Sequence, residues 1–268
     1  MTIDTETTTC CDRCLDAVID GALNFRDLGG LRAGDAVVRR GMLYRSAMTH
    51  EITREGMDLL VRRYGLRTVI DLRSEEEIGE YGVAPFTANG VAYHHHPVSS
   101  RASSPPEIIR QYQEEMREGR FDWTASYLRM VENGSAALRG VFEVLAAPEG
   151  MPAVFHCIAG RDRTGVAAAL LLGTLGVDAE QIAADYAMTG LHLRRHAHRF
   201  ARQAERLAID QERMAGILDT EVDAMRRFLE EISRRYGSVA GAVHSLGVGE
   251  ESLKALRRAL LDPAAAVG

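Results

Sequence analysis

Between Pro152 and Leu172 the chain carries a short apolar run, a polar decade and a longer apolar run, an order that few folds accommodate. Pro152-Ala153-Val154-Phe155 is short and apolar enough for a buried strand. The Val166-Ala167-Ala168-Ala169-Leu170-Leu171-Leu172 run has the Ala/Leu content of a buried helix. A loop joining such a strand to such a helix gathers backbone N–H groups and the positive helix end around one point, which suits an anion.

The side chains of that loop suit the same anion. It reads His156-Cys157-Ile158-Ala159-Gly160-Arg161-Asp162-Arg163-Thr164-Gly165. A cysteine at a helix N-terminus beside guanidinium groups favours the thiolate. Arg163 can give two parallel hydrogen bonds to phosphoryl oxygens and hold them as charge shifts. A thiolate inside a phosphate cradle is a nucleophile aimed at phosphorus. The backbone N–H groups of Ile158, Ala159, Gly160, Arg161, Asp162 and Arg163 are expected to complete the cradle. Thr164 can donate its hydroxyl to the sulfur. His156, one residue before the nucleophile, points to the opposite face of its strand and is expected to order the loop. The plainer reading is a strand-end cysteine with a chance arginine. It requires the glycine, the flanking elements and the Arg-Thr-Gly turn to coincide.

The stretch resembles the signature of the cysteine-dependent protein tyrosine phosphatase superfamily, His-Cys-x5-Arg-Ser/Thr. It is most similar to the Gly-Lys-Asp-Arg-Thr-Gly form of the bacterial tyrosine/lipid phosphatase family related to the secreted mycobacterial enzyme. Arg161 stands where that family usually has lysine and keeps the charge. Asn24-Phe25-Arg26-Asp27-Leu28-Gly29-Gly30, Leu43-Tyr44-Arg45-Ser46-Ala47 and Val69-Ile70-Asp71-Leu72-Arg73-Ser74 extend the resemblance over roughly residues 21–261. It implies a phosphatase-like fold and a phosphocysteine mechanism without metal or cofactor. It also implies loop-bracing roles for Arg26, Asp27 and Arg45.

Composition is compatible with this and excludes other classes. An apolar fraction of 46% in 268 residues supports a sizeable core. A formal charge of −6 leaves no basic footprint for nucleic acid, while local field rather than net charge governs an anion site. No apolar stretch reaches membrane-spanning length. The first residues lack the basic start and apolar segment of a signal peptide, so a cytoplasmic location is expected, with signal-independent secretion left open. Cys10, Cys11 and Cys14 match half of a zinc site, but no second ligand pair follows. They read as ordinary thiols on a leader or as a redox or adventitious metal site.

Along the chain, 1–20 reads as a polar leader, with Leu15-Asp16-Ala17-Val18-Ile19 able to add an edge strand. Residues 21–268 read as one α/β domain: a mostly parallel sheet flanked by helices, with a helical C-terminal third. Thr53 is the expected N-cap of a helix over 53–64, and 67–72 and 91–97 read as strands. Asp178 opens a helix at capping-box spacing. Residues 192–213 form a long arginine-rich stretch, and 220–236 is amphipathic with Met225, Phe228, Leu229 and Ile232 on one stripe. Residues 99–122 read either as loop and solvated surface helix or, as the resemblance implies, as a helical lid over the site.

The general acid stays open at this level. Asp71 ends a parallel strand at the edge where α/β sites collect, and the resemblance of its Asp-Leu-Arg places it near phosphate. Asp162 lies inside the loop, and Asp122 lies beside the candidate lid. Arg161 adds a charge that could meet a second phosphate on an inositol ring or an acidic phosphopeptide. His94, His95 and His96 alternate faces of a strand and cannot converge on one ion. The reading is therefore a phosphatase of phosphotyrosine proteins first and of phosphoinositides second. Sulfur transfer, arsenate reduction and a phosphate-binding pseudoenzyme are the rivals. Oligomeric state is not encoded in these patterns.

Overall fold

The computed structural model describes residues 12–98, 110–111, 114–116, 118–207, 210–218 and 222–264. The apolar run before the loop forms β7 (Ala153–His156), buried along its whole length. It pairs in parallel with β4 (Leu43–Ser46) on one side and β5 (Thr68–Asp71) on the other. Outside β5 lies parallel β6 (Ala92–His95), and outside β4 lies antiparallel β1 (Arg26–Asp27), giving the order β1-β4-β7-β5-β6. The continuous burial of β4, β5 and β7 is what parallel strands covered on both faces require. A small antiparallel sheet of β2 (Arg32–Ala33), β3 (Ala36–Val38) and β8 (Leu261–Pro263) ties the C-terminus back to the first third of the chain.

Eleven α-helices are labelled among the described residues. They are α1 (Arg54–Arg62), α2 (Glu75–Tyr81), α3 (Trp123–Asn133), α4 (Ser135–Ala146), α5 (Asp162–Leu175) and α6 (Ala179–Arg194), followed by α7 (Ala201–Leu207), α8 (Gln211–Leu218), α9 (Val222–Tyr236), α10 (Val239–Ser245) and α11 (Glu250–Leu260). Thr53 caps α1 by accepting from Gly56 N, and Asp178 caps α6 by accepting from Gln181 N, as their spacing predicts. The loop runs straight into α5, whose residues are buried except Asp162 and Gly173. That helix packs on β4 and β7 and against α3, α4, α6, α10 and α11. An apolar surface all round a helix is stable only in such a position. The stripe of Met225, Phe228, Leu229 and Ile232 is buried on α9, while 219–221 lie outside the described residues. No helix among the described residues is long and apolar enough to cross a membrane.

One expectation is corrected. The leader does not extend to residue 20: Cys14 bridges to Arg26, Leu15 N donates to Phe25 O at 2.9 Å, and Ile19 is fully buried. Leu15 and Ile19 supply apolar anchors that the polar start of the chain conceals; residues 1–11, with Cys10 and Cys11, lie outside the described residues. The arginine-rich stretch 192–213 spans the end of α6 at Arg194, a short 3-10 turn, Ala197–Phe200, then α7 and the start of α8. Most of the candidate lid falls outside the described residues. Of its remainder, Met116 is buried and Phe121 stacks edge-on against Trp123 with centroids 4.6 Å apart.

Candidate active site

Parallel pairing aligns Ser46, His156, Asp71 and His95 at the carboxyl ends of four neighbouring strands, and the loop 157–161 rises just beyond them. This is the edge where ligand sites of α/β sheets form. Gly160 allows the loop to turn there. Its φ is 66°, and a Cβ would sit 2.4 Å from the Ser46 carbonyl oxygen, so conformation and space both require glycine.

The loop's carbonyls are tied outward. Met48 N donates to Ile158 O at 2.8 Å, and Asn24 Nδ2 donates to Ala159 O at 3.0 Å and Gly160 O at 3.2 Å. Arg45 Nη2 donates to Gly160 O at 2.7 Å. In a trans peptide the following N–H points the opposite way, so the amides of Ala159, Gly160 and Arg161 turn toward the inside of the loop. Asn24 itself holds a left-handed φ of 55°.

Cys157 is buried at the base of the loop, and Thr164 Oγ1 donates to its sulfur at 3.2 Å. Arg163 is held by Glu77 through two contacts, Nη1–Oε2 at 2.5 Å and Nη2–Oε1 at 2.8 Å. Burial works against the guanidinium charge, but the Glu77 carboxylate outweighs it and holds the group above its ordinary range. Glu77 is in turn fixed by the capping box of α2, where Ser74 Oγ and the Glu77 carboxylate bond each other's backbone N–H.

Asp71 does not fit the acid role. It is fully buried, and its oxygens accept from Arg73 Nε at 3.0 Å, Arg73 Nη2 at 2.6 Å and Tyr93 Oη at 2.9 Å. Burial pushes the carboxyl up, but the neighbouring His156 ring and Arg73 guanidinium more than reverse this and hold it well below the carboxylate range. A group so fixed as an anion has no proton to give at working pH. Its work is structural: Oδ1 also accepts from Arg73 N at 2.9 Å and caps the turn into α2. Asp162 instead stands on the loop with a quarter of its side chain exposed, its Oδ1 accepting from Tyr127 Oη at 2.8 Å and Arg161 Nε at 2.9 Å. Asp122 is the N-cap of α3, accepting from Ala125 N at 2.9 Å.

Arg161 is buried rather than presented to solvent. Its guanidinium lies 4.1 Å over the Trp123 ring, bonds Asp162, and donates to the Ile217 carbonyl of α8. Of the bracing residues, Arg45 reaches the loop directly and Arg26 reaches it through Asn24 Oδ1. Asp27 holds Gly29 N and Gly41 N, each at 2.8 Å. His156 Nε2 meets Thr49 Oγ1 at 3.5 Å, and burial lowers its pKa. His94 and His96 stack on one face, while His95 Nε2 contacts Arg73 O at 2.8 Å.

Sequence reasoning missed Glu77, Asp185 and the Tyr127–Tyr186 pair. Only Glu77 carries a local signal, the Ser-x-x-Glu spacing from Ser74. Asp185, on α6, collects Arg13, Arg26 and Arg45 at 3.0, 3.1 and 2.7 Å, with no sequence neighbour that announces it.

A thiol at the base of an inward-turned amide loop, beyond the carboxyl edge of a parallel sheet, is the anion-site arrangement of an α/β protein. The model of the tyrosine phosphatase family matches residues 17–262, and the chain belongs to that family. It is 27% identical to the triple specificity protein phosphatase PtpB of Mycobacterium tuberculosis, over 91% of this chain and 98% of that one. It is 32% identical to a putative tyrosine-protein phosphatase of Cupriavidus necator, over 64% of this chain and 62% of that one. Among solved structures, the core catalytic domain of the S. cerevisiae PP-IP phosphatase SIW14 aligns with 64% of this chain and 78% of its own at 15% identity and a TM-score of 0.38.

Proposed function

We propose that the chain hydrolyses phosphotyrosine in proteins through a phosphocysteine intermediate, with Cys157 as nucleophile, Arg163 as clamp and Asp162 as general acid. The observation that carries this is the Thr164 Oγ1–Cys157 Sγ bond of 3.2 Å at the base of a loop whose carbonyls are all engaged outside it. The sulfur attacks phosphorus, the S–P bond forms, and the P–O bond to the aryl oxygen breaks as Asp162 protonates that oxygen. Water then attacks phosphorus, Asp162 takes back a proton, and the sulfur leaves as a thiolate that accepts from Thr164. Arg163 and the amides of Ala159, Gly160 and Arg161 meet the equatorial oxygens throughout. A phosphoinositide is the second substrate class. Arg161 would have to meet its extra phosphate from a buried position, with its guanidinium already holding Asp162 and the Ile217 carbonyl of α8.

The test is phosphate release without added metal from a phosphotyrosine peptide and a phosphoinositide in parallel, with Cys157→Ser as control. Turnover of the peptide that is lost in the variant supports the reading. Phosphate binding without turnover on either substrate would make the loop a recognition pocket.

A further inference from the structure

The ordered N-terminal turn crosses the end of α6 at three side chains that phosphate chemistry does not use. Cys14 Sγ lies 3.4 Å from His192 Nε2, and His192 Nδ1 lies 2.5 Å from Asp16 Oδ2. A carboxylate only accepts, so the hydrogen between Asp16 and the ring is carried by Nδ1, and Nε2 faces the thiol. This is the order of contacts that activates a cysteine: nucleophile, base, and a carboxylate that orients the base. Cys14 forms no disulfide among the described residues and is half-buried, so a small reagent reaches it, while His192 and Asp16 are only 12% and 18% exposed and hold their geometry.

The same turn is wired to the phosphate loop. Asp16 Oδ2 accepts from Asn24 N at 3.0 Å and Oδ1 accepts from Phe25 N, and Asn24 Nδ2 holds the Ala159 and Gly160 carbonyls. Arg13, beside Cys14, donates at 3.0 Å to Asp185, the carboxylate that also holds Arg45, and Arg45 holds Gly160 O. Both routes end on the Gly160 carbonyl.

We propose that Cys14 is a second activated thiol, a site of thiol–disulfide exchange with low-molecular-weight disulfides, and that its modification loosens the phosphate loop. His192 Nε2 takes the S–H proton and the Cys14 thiolate attacks one sulfur of the disulfide. A new S–S bond forms, the old one breaks, and the departing thiolate takes the proton from His192. The group now attached to sulfur occupies the place of the His192 contact and separates the ring from Asp16.

The test uses the full chain with Cys10→Ser and Cys11→Ser, so that adducts are assignable by peptide mass spectrometry. Iodoacetamide at neutral pH should label Cys14 about tenfold faster in the native chain than in the urea-unfolded chain or in a folded His192→Gln variant. Equal rates would overturn the activation. Oxidised glutathione should then add once at Cys14 and lower phosphotyrosine-peptide turnover about tenfold, reversibly with dithiothreitol, while Cys14→Ser keeps its own untreated rate. An adduct on Cys14 with turnover unchanged, or equal loss in Cys14→Ser, would overturn the coupling. The activity arm rests on the phosphatase reading, whereas the labelling arm does not depend on it.

Discussion

At the residue scale, two carboxylates a few ångströms from a phosphate loop do different work because their surroundings differ. Asp71 is pinned as an anion by Arg73, whereas Asp162 keeps an exposed edge on the loop. Asp162→Asn should therefore lower kcat about 10²–10⁴-fold on a phenyl phosphate with a poor leaving group and far less on p-nitrophenyl phosphate. Asp71→Asn should lower both rates by the same factor and lower the melting temperature, because it strands a buried guanidinium. The reverse pattern would restore Asp71 as the acid. Glu77 is the other residue whose role exists only through a contact. Its two bonds fix the plane of the Arg163 guanidinium, so Glu77→Gln should cut kcat/KM about 10- to 100-fold in steady-state assays. Unchanged kcat/KM and unchanged inhibition by inorganic phosphate would show that the pair is only structural.

At the scale of elements, the site depends on α5 being a rigid buried post and on α2 being capped at the right place. Leu170 is fully buried on α5, and Leu170→Ala should cost about 2–5 kcal/mol in urea denaturation, the loss of buried side-chain atoms plus the cavity they leave. A cost below 1 kcal/mol would mean that the packing around α5 collapses freely. The capping box of α2 links element to site, since the carboxylate that closes the helix start also holds Arg163. A helix-start signal in the sequence thus turned out to be a site residue, and the reason is geometric. The turn after β5 places the first turn of α2 beside the start of α5, and the Ser-x-x-Glu spacing alone says nothing about what lies opposite.

At the scale of the whole molecule, buried charge sets the pH response. His156 is buried, and burial keeps its folded-state pKa below the value of about 6.5 that it has when unfolded. As pH falls below that value, the unfolded chain takes up a proton that the folded ring refuses, so stability present at pH 7 is lost toward pH 5. His50, His96 and His196 are shifted in the same direction by burial. Urea midpoints should drop between pH 7 and pH 5, by at most about 1.4 kcal/mol per pH unit for each proton, and His156→Asn should flatten that slope. A slope unaltered by the substitution would place the sensitivity on the other three rings. Asp71 and Asp185 act lower: their depressed folded-state values mean that their contribution is present above the unfolded carboxyl range and lost progressively as pH falls through that range toward the folded-state values.

The sequence by itself determined the strand–loop–helix at 152–172, the placing of Cys157, Arg163 and Thr164 within it, and the α/β class. All of these rest on local patterns: apolar runs, a glycine that must turn, and residues fixed relative to one another by a short loop. Arg45 and Arg26 were also legible, though only through resemblance. Tertiary structure alone decided that Asp71 is a structural anion, that Arg161 is buried under Trp123, that residues 12–20 are folded, and that Asp185 gathers three arginines. Each of those outcomes depends on which partner lies across a fold-made contact, from Asp71 against Tyr93 to Arg13 against Asp185. A carboxylate reads the same in a sequence whether a guanidinium waits beside it or not, and only the packing of distant elements supplies the partner that sets its charge, its exposure and its work.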